Sequence, residues 1–110
     1  MGKGIVLFIC TANECRSRTA EIYFQNKYPE YRFRSAGINK YLSERHGGIH
    51  LKQYMIDVAD RIICSEKVHY DYIKNNYSVY ESKMEILNLG DTKTFMHKEL
   101  IDMLEEKFKI

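Results

Sequence analysis

The apolar positions of the chain change period several times. Ile5 to Ile9 form a continuous β-rich run, as in a strand covered on both faces. Ala20, Tyr23, Phe24 and Tyr28 recur at helical spacing, and Pro29 stops that helix. Tyr31-Arg32-Phe33-Arg34-Ser35 alternates with period two, the mark of a half-exposed edge strand. Gly37 opens a loop that runs through Gly47-Gly48. Leu51, Tyr54, Met55 and Val58 form the next helical stripe. Ile62-Ile63-Cys64 is a short apolar strand, and Ser65 is a candidate N-cap for a helix carrying Val68, Tyr72 and Ile73. Asn75 to Ser78 read as a turn. Met84 to Leu89 read as a fourth strand ended by Gly90, and Leu100, Ile101, Leu104 and Phe108 as a last amphipathic helix.

This alternation of strand and helix predicts a parallel sheet with helices on both faces, a three-layer α/β/α domain. Ligands of such sheets sit beyond the carboxyl ends of the strands, where strand order switches. Four places follow: after residues 10, 35, 64 and 89.

Composition narrows the class. A chain of 110 residues reads as one domain, residues 1–110, with enough core to fold unaided. Seventeen basic and 15 acidic residues leave a net charge of +2. No block of five like charges marks a polyanion-binding surface, so no nucleic-acid partner is expected. The longest apolar run, Ile5 to Cys10, is too short for a membrane span or a signal-peptide core, and the expected location is cytoplasmic. Three cysteines without an export signal point to thiol chemistry rather than a disulfide framework.

The first of the four places carries that chemistry. After the first strand come Cys10-Thr11-Ala12-Asn13-Glu14-Cys15-Arg16-Ser17, and then a helix. Five residues between Cys10 and Arg16 can curl so that successive N–H groups converge as an anion nest. The helix N-terminus adds partial positive charge. Cys10 would lie at the base of this ring, where the amides and the guanidinium favour the nucleophilic thiolate. Arg16 offers parallel N–H donors to phosphoryl oxygens, and the Ser17 hydroxyl can donate to sulfur. Asn13 suits a left-handed φ. A Cys and an Arg at this spacing are weak evidence alone; the flanking strand and helix give the pair its meaning.

Cys10 to Ser17, with Ala20-Glu21 behind, resembles the phosphate loop (CX5R) of the low-molecular-weight protein tyrosine phosphatases. Ser35-Ala36-Gly37, Ala59-Asp60-Arg61-Ile62-Ile63, and Leu89-Gly90-Asp91 with Met96, Glu99 and Leu100 match further stretches of that family's compact branch. The resemblance implies a phosphatase I-like fold with strand order 2-1-3-4. It implies that Cys10 is the nucleophile of a phosphocysteine intermediate, that Arg16 binds phosphate, and that Asp91 is the general acid. Residues 11 to 17 would line the phosphate site, Asn13, Ser17 and Ser35 would brace it, and Cys15 would be either a redox partner of Cys10 or a packing residue. Tyr41 and Phe95 would wall the substrate. With strand four two spacings from strand one, roughly 10 Å away, the loop from Gly90 to Met96 must lean inward.

The departures concern specificity. Lys93 replaces an aromatic after the aspartate, with Phe95 as its substitute. Arg18 stands where a helix-starting proline is common. Glu14 faces the leaving group in the family, where an apolar residue goes with tyrosine phosphate and threonine with arginine phosphate. The expected substrate is protein phosphotyrosine or a small phosphomonoester, with no cofactor, no membrane partner, and a monomer or weak homodimer.

Other readings stay open. A catalytically weak phospho-ligand binding module is kept alive by Glu14 and Lys93. A phosphoarginine phosphatase and an arsenate reductase share the loop, but the latter needs a cysteine relay that the lone Cys64 does not supply. A sugar-system phosphocarrier is disfavoured by Arg16. His46 and His50 are four apart, yet Gly47-Gly48 between them speak against a metal site. His69 and His97 read as solvent-facing or boundary residues.

Overall fold

A computed structural model describes residues 4–45, 47–90 and 94–110. Its four-stranded parallel sheet has the order β2-β1-β3-β4, formed by β1 (Ile5–Cys10), β2 (Arg32–Gly37), β3 (Arg61–Cys64) and β4 (Met84–Ile86). The helices are α1 (Arg16–Lys27), α2 (Lys40–Arg45), α3 (Gln53–Val58), α4 (Lys67–Asn76) and α5 (Lys98–Lys107).

The central strand explains the unbroken apolar run. Successive side chains of β1 point to opposite faces, so Val6 and Phe8 join Phe24, Leu100 and Leu104 beneath α1 and α5. Leu7 and Ile9 join Met55, Ile56 and Ile73 beneath α3 and α4. Phe8 stacks on Phe24 and Phe33 at centroid separations of 5.8 and 6.0 Å, with Phe108 edge-on at 5.1 Å. Lys27 on α1 bonds Glu105 on α5 at 2.6 Å and secures the outside of that layer. The period-two pattern of β2 holds from Arg32 to Ser35, with Phe33 and Ser35 buried and Arg32 and Arg34 exposed. α1 stops at Lys27, and Tyr28, ahead of Pro29, takes φ −127°.

Four local expectations are corrected. The stretch after Gly37 contains α2, capped by Asn39 Oδ1, which accepts the Leu42 N–H at 2.9 Å. Six residues are too few to show a period. On the short α3, Met55 and Ile56 are buried, while Tyr54 and Val58 of the expected stripe are exposed. β4 ends at Ile86, because Asn88 takes a left-handed φ of 59° and interrupts the ladder. Leu87 and Leu89 nevertheless stay buried and donate their N–H groups to Cys64 O and Ser65 O. Glu66, not Ser65, is the N-cap of α4; the Ser65 hydroxyl donates to Ile9 O at 2.7 Å and is used up between β3 and β1.

Candidate active site

The carboxyl ends of β1, β2 and β3 converge on residues 11–15. Cys10 closes β1 and is buried, with its Sγ 2.9 Å from Ser17 Oγ in the first turn of α1. That turn leaves N–H groups directed back along the helix axis, toward the strand end that holds the sulfur.

A network of side-chain hydrogen bonds surrounds Cys10. Asn13 Nδ2 donates to both Ser17 Oγ and Ser35 Oγ, each at 2.9 Å. Ser35 Oγ donates onward to the Glu21 carboxylate. Ser17 Oγ, which accepts from Asn13, still has its own hydrogen to offer the sulfur. Asn13 Oδ1 accepts the Ile49 N–H at 2.7 Å, so every polar atom of this buried amide is used. Its φ of 52° is the left-handed conformation expected for it.

Arg16 is buried, and its Nη1 donates to Gly90 O at 2.9 Å and lies 3.8 Å from Glu66 Oε2. The Glu66 carboxylate also accepts the Gly90 N–H. The gap between β1 and the segment after β4 is therefore closed at Gly90. Farther along, Met96 N–H donates to Thr19 Oγ1 of α1 at 2.8 Å. Asp91 and Lys93 lie outside the described residues, as does His46.

The remaining loop positions divide by exposure. Thr11, Ala12 and Cys15 are half-buried, and Glu14 is exposed. Cys10, Cys15 and Cys64 carry thiols, not disulfides. Burial alone pushes the Cys64 thiol up to about 12, so it stays protonated and inert at neutral pH. Tyr41 is exposed and stands with Lys40, His50 and Tyr72 around a groove of about 490 Å³ that begins at Thr11. Phe95 is also exposed. Among the described residues, no group of three His, Cys, Asp or Glu side chains is placed to hold a metal ion.

Several site residues had no signal in the linear pattern. His69 is fully buried, not at a boundary. Its Nδ1 accepts the Glu66 N–H at 3.0 Å, so the ring hydrogen sits on Nε2 and donates to Thr11 Oγ1 at 2.9 Å. Gly37 and Gly48 are needed for close approach. A Cβ on Gly37 would stand 2.1 Å from Ser43 Oγ and 2.7 Å from both Asn13 N and Thr11 O. One on Gly48 would stand 2.9 Å from Asn13 O. Glu66 carried a partial signal, since it follows the carboxyl end of strand β3.

Comparison with known proteins agrees with this geometry. Residues 5–105 match the family model described as low molecular weight phosphotyrosine protein phosphatase. Wzb of Vibrio vulnificus, in complex with benzylphosphonate, is 20% identical, with 96% of this chain and 94% of that one covered and a TM-score of 0.77. The tyrosine phosphatase Wzb of Escherichia coli K30, in complex with phosphate, is 18% identical over 94% and 92%, with a TM-score of 0.76. The YwlE arginine phosphatase of Geobacillus stearothermophilus is 24% identical over 94% and 92%, with a TM-score of 0.67. No curated protein sequence matches the chain. Among the described residues no helix is long and apolar enough to cross a membrane.

Proposed function

The chain belongs to the low molecular weight phosphotyrosine protein phosphatase family, and on that premise we propose that Cys10 is the nucleophile of a phosphomonoesterase acting on phosphotyrosine. The observation that carries this is the Cys10 sulfur held 2.9 Å from the Ser17 hydroxyl, at the foot of a loop closed by buried Arg16.

The thiolate attacks phosphorus in line and forms a P–S bond as the P–O bond to the leaving group breaks. Arg16 and the N–H groups of residues 11–17 hold the equatorial oxygens. Asp91 gives its proton to the leaving oxygen. It then takes one from a water that attacks phosphorus, which releases phosphate and restores the thiolate. Asn13, Ser17 and Ser35 hold the loop in shape. Tyr41 and Phe95 flank the substrate, and the groove between Tyr41 and Tyr72 supports an aromatic phosphate. We take residues 1–110 as one domain of this kind, cytoplasmic, a monomer or weak homodimer, with phosphorylated proteins or small phosphomonoesters as substrates.

A second reading, phosphoarginine, is favoured by Glu14. Its exposed carboxylate at the loop suits a cationic leaving group better than a neutral phenol. A panel of tyrosine, serine and arginine phosphates, with and without vanadate, separates the two. Turnover of phosphotyrosine that vanadate blocks and Cys10→Ser abolishes is the expected result. If Cys10→Ser retains turnover, the nucleophile is another group. A wild type that binds phosphate without turning over any substrate is a phospho-ligand binding module.

A further inference from the structure

We propose that Glu66 is a positioning residue for the Arg16 phosphate clamp and that it acts through the peptide of Gly90. The inference rests on the phosphatase reading above, and nothing in the loop motif implies it.

Three groups form a closed triangle. Arg16 Nη1 donates to Gly90 O at 2.9 Å. Gly90 N–H donates to the Glu66 carboxylate. That same Glu66 Oε2 lies 3.8 Å from Arg16 Nη1. One residue therefore presents its carbonyl to the arginine and its amide to the glutamate. Gly90 has φ +77°, a conformation that side-chain-bearing residues rarely adopt. The Glu66 carboxylate, by accepting the Gly90 N–H, holds this peptide against the guanidinium.

A guanidinium is planar, so fixing Nη1 fixes the plane in which its other donors lie. Bidentate recognition of a phosphoryl group depends on that plane. The cavity of about 270 Å³ beside the loop is lined by Thr11, Arg16, Glu66, Val68, His69 and Gly90, which places the triangle on the wall of the anion site. Glu66 is itself fixed from behind. It is the N-cap of α4, and its own N–H donates to buried His69, whose other ring nitrogen holds Thr11. α4 thus grips the phosphate loop at both ends, at Thr11 through His69 and at Arg16 through Glu66.

The distinguishing test uses two variants. Glu66→Ser keeps a good helix N-cap but is too short to reach Gly90. Glu66→Gln keeps an oxygen acceptor of the same reach without the charge. Inorganic phosphate affinity is measured by titration, and kcat/KM on aryl phosphates with good and poor leaving groups. Glu66→Ser is expected to bind phosphate about tenfold more weakly and to lose kcat/KM by a similar factor on every leaving group, because the clamp acts on the equatorial oxygens. Glu66→Gln is expected to restore most of both. Unchanged phosphate affinity in Glu66→Ser overturns the proposal, as does a Glu66→Gln variant equally impaired. A loss confined to poor leaving groups overturns it too, since that would place Glu66 in proton transfer. Phosphate binding without turnover in the wild type defeats the phosphatase reading and leaves the binding comparison decisive. A wild type that binds neither phosphate nor vanadate overturns both.

Discussion

Asn13 and Ser35, 22 residues apart, are joined by a 2.9 Å hydrogen bond from the Asn13 amide to the Ser35 hydroxyl. That bond links the anion loop to the neighbouring strand β2. The same Asn13 amide also donates to Ser17 Oγ, which lies 2.9 Å from the Cys10 sulfur. Asn13→Ala would leave the Ile49 N–H without its acceptor and put a Cβ-bearing residue with no side-chain compensation at φ 52°. A stability loss of about 2 kcal/mol is expected, read by urea denaturation, together with at least a tenfold fall in kcat/KM. An activity loss without a stability loss would mean that the amide acts on the substrate instead.

Asp91→Asn should separate chemistry from binding. Losing a general acid slows substrates with poor leaving groups by about 10²-fold or more and those with good ones far less. A plot of kcat/KM against leaving-group acidity should therefore steepen, and the alkaline limb of the bell-shaped pH profile should change. An equal loss on all substrates would assign the proton to another residue.

Gly37→Ala tests the close approach behind the loop. The added methyl would meet backbone at Asn13 N and Thr11 O, both at 2.7 Å, and backbone cannot swing aside as a flexible side-chain end can. We expect a cost of about 2 kcal/mol or more and weaker phosphate binding, because relief of the clash must move Thr11 and Asn13. A stable Gly37→Ala variant with unaltered phosphate affinity would show that the loop has slack.

Cys64 gives a pH dependence with a definite sign. Burial raises its thiol from the ordinary 9.0 to about 12, so the unfolded chain releases this proton before the folded one does. The stability it contributes is complete below pH 9 and is lost as pH rises toward 12. Over that window the wild type should lose roughly 4 kcal/mol more than Cys64→Ala does, measured by denaturant titration at each pH. Parallel alkaline losses in the two proteins would place the titrating group elsewhere.

How much of the site was readable in advance depended on distance along the chain. Cys10, Arg16 and Ser17 lie within eight residues of sequence, so a local pattern placed them together, and Asn13 was foreseeable from its own tolerance of positive φ. Glu66 and His69 reach the loop from the start of α4, 50 or more residues later. Of the apolar residues that marked that helix, Val68, Tyr72 and Ile73, Ile73 is buried but Val68 is exposed, and His69 is inside. In so short a helix, one polar residue with two good partners outweighs apolar spacing. α2 and the turn of α3 that buries Ile56 in place of Val58 were hidden because six residues hold too little periodicity to phase.

What the linear order determined was everything that backbone geometry repeats locally. It set the two-faced strand β1, the alternation of strand and helix that compels a parallel sheet, and a five-residue loop between a thiol and a guanidinium. Only the tertiary structure decided which distant groups complete that loop. Parallel strands deliver their carboxyl ends to one edge, so Gly37, Glu66, His69 and Gly90 meet Thr11, Asn13 and Arg16 there. No spacing in the chain encodes those meetings, because they are set by how helices seat on the sheet and not by the covalent path between them.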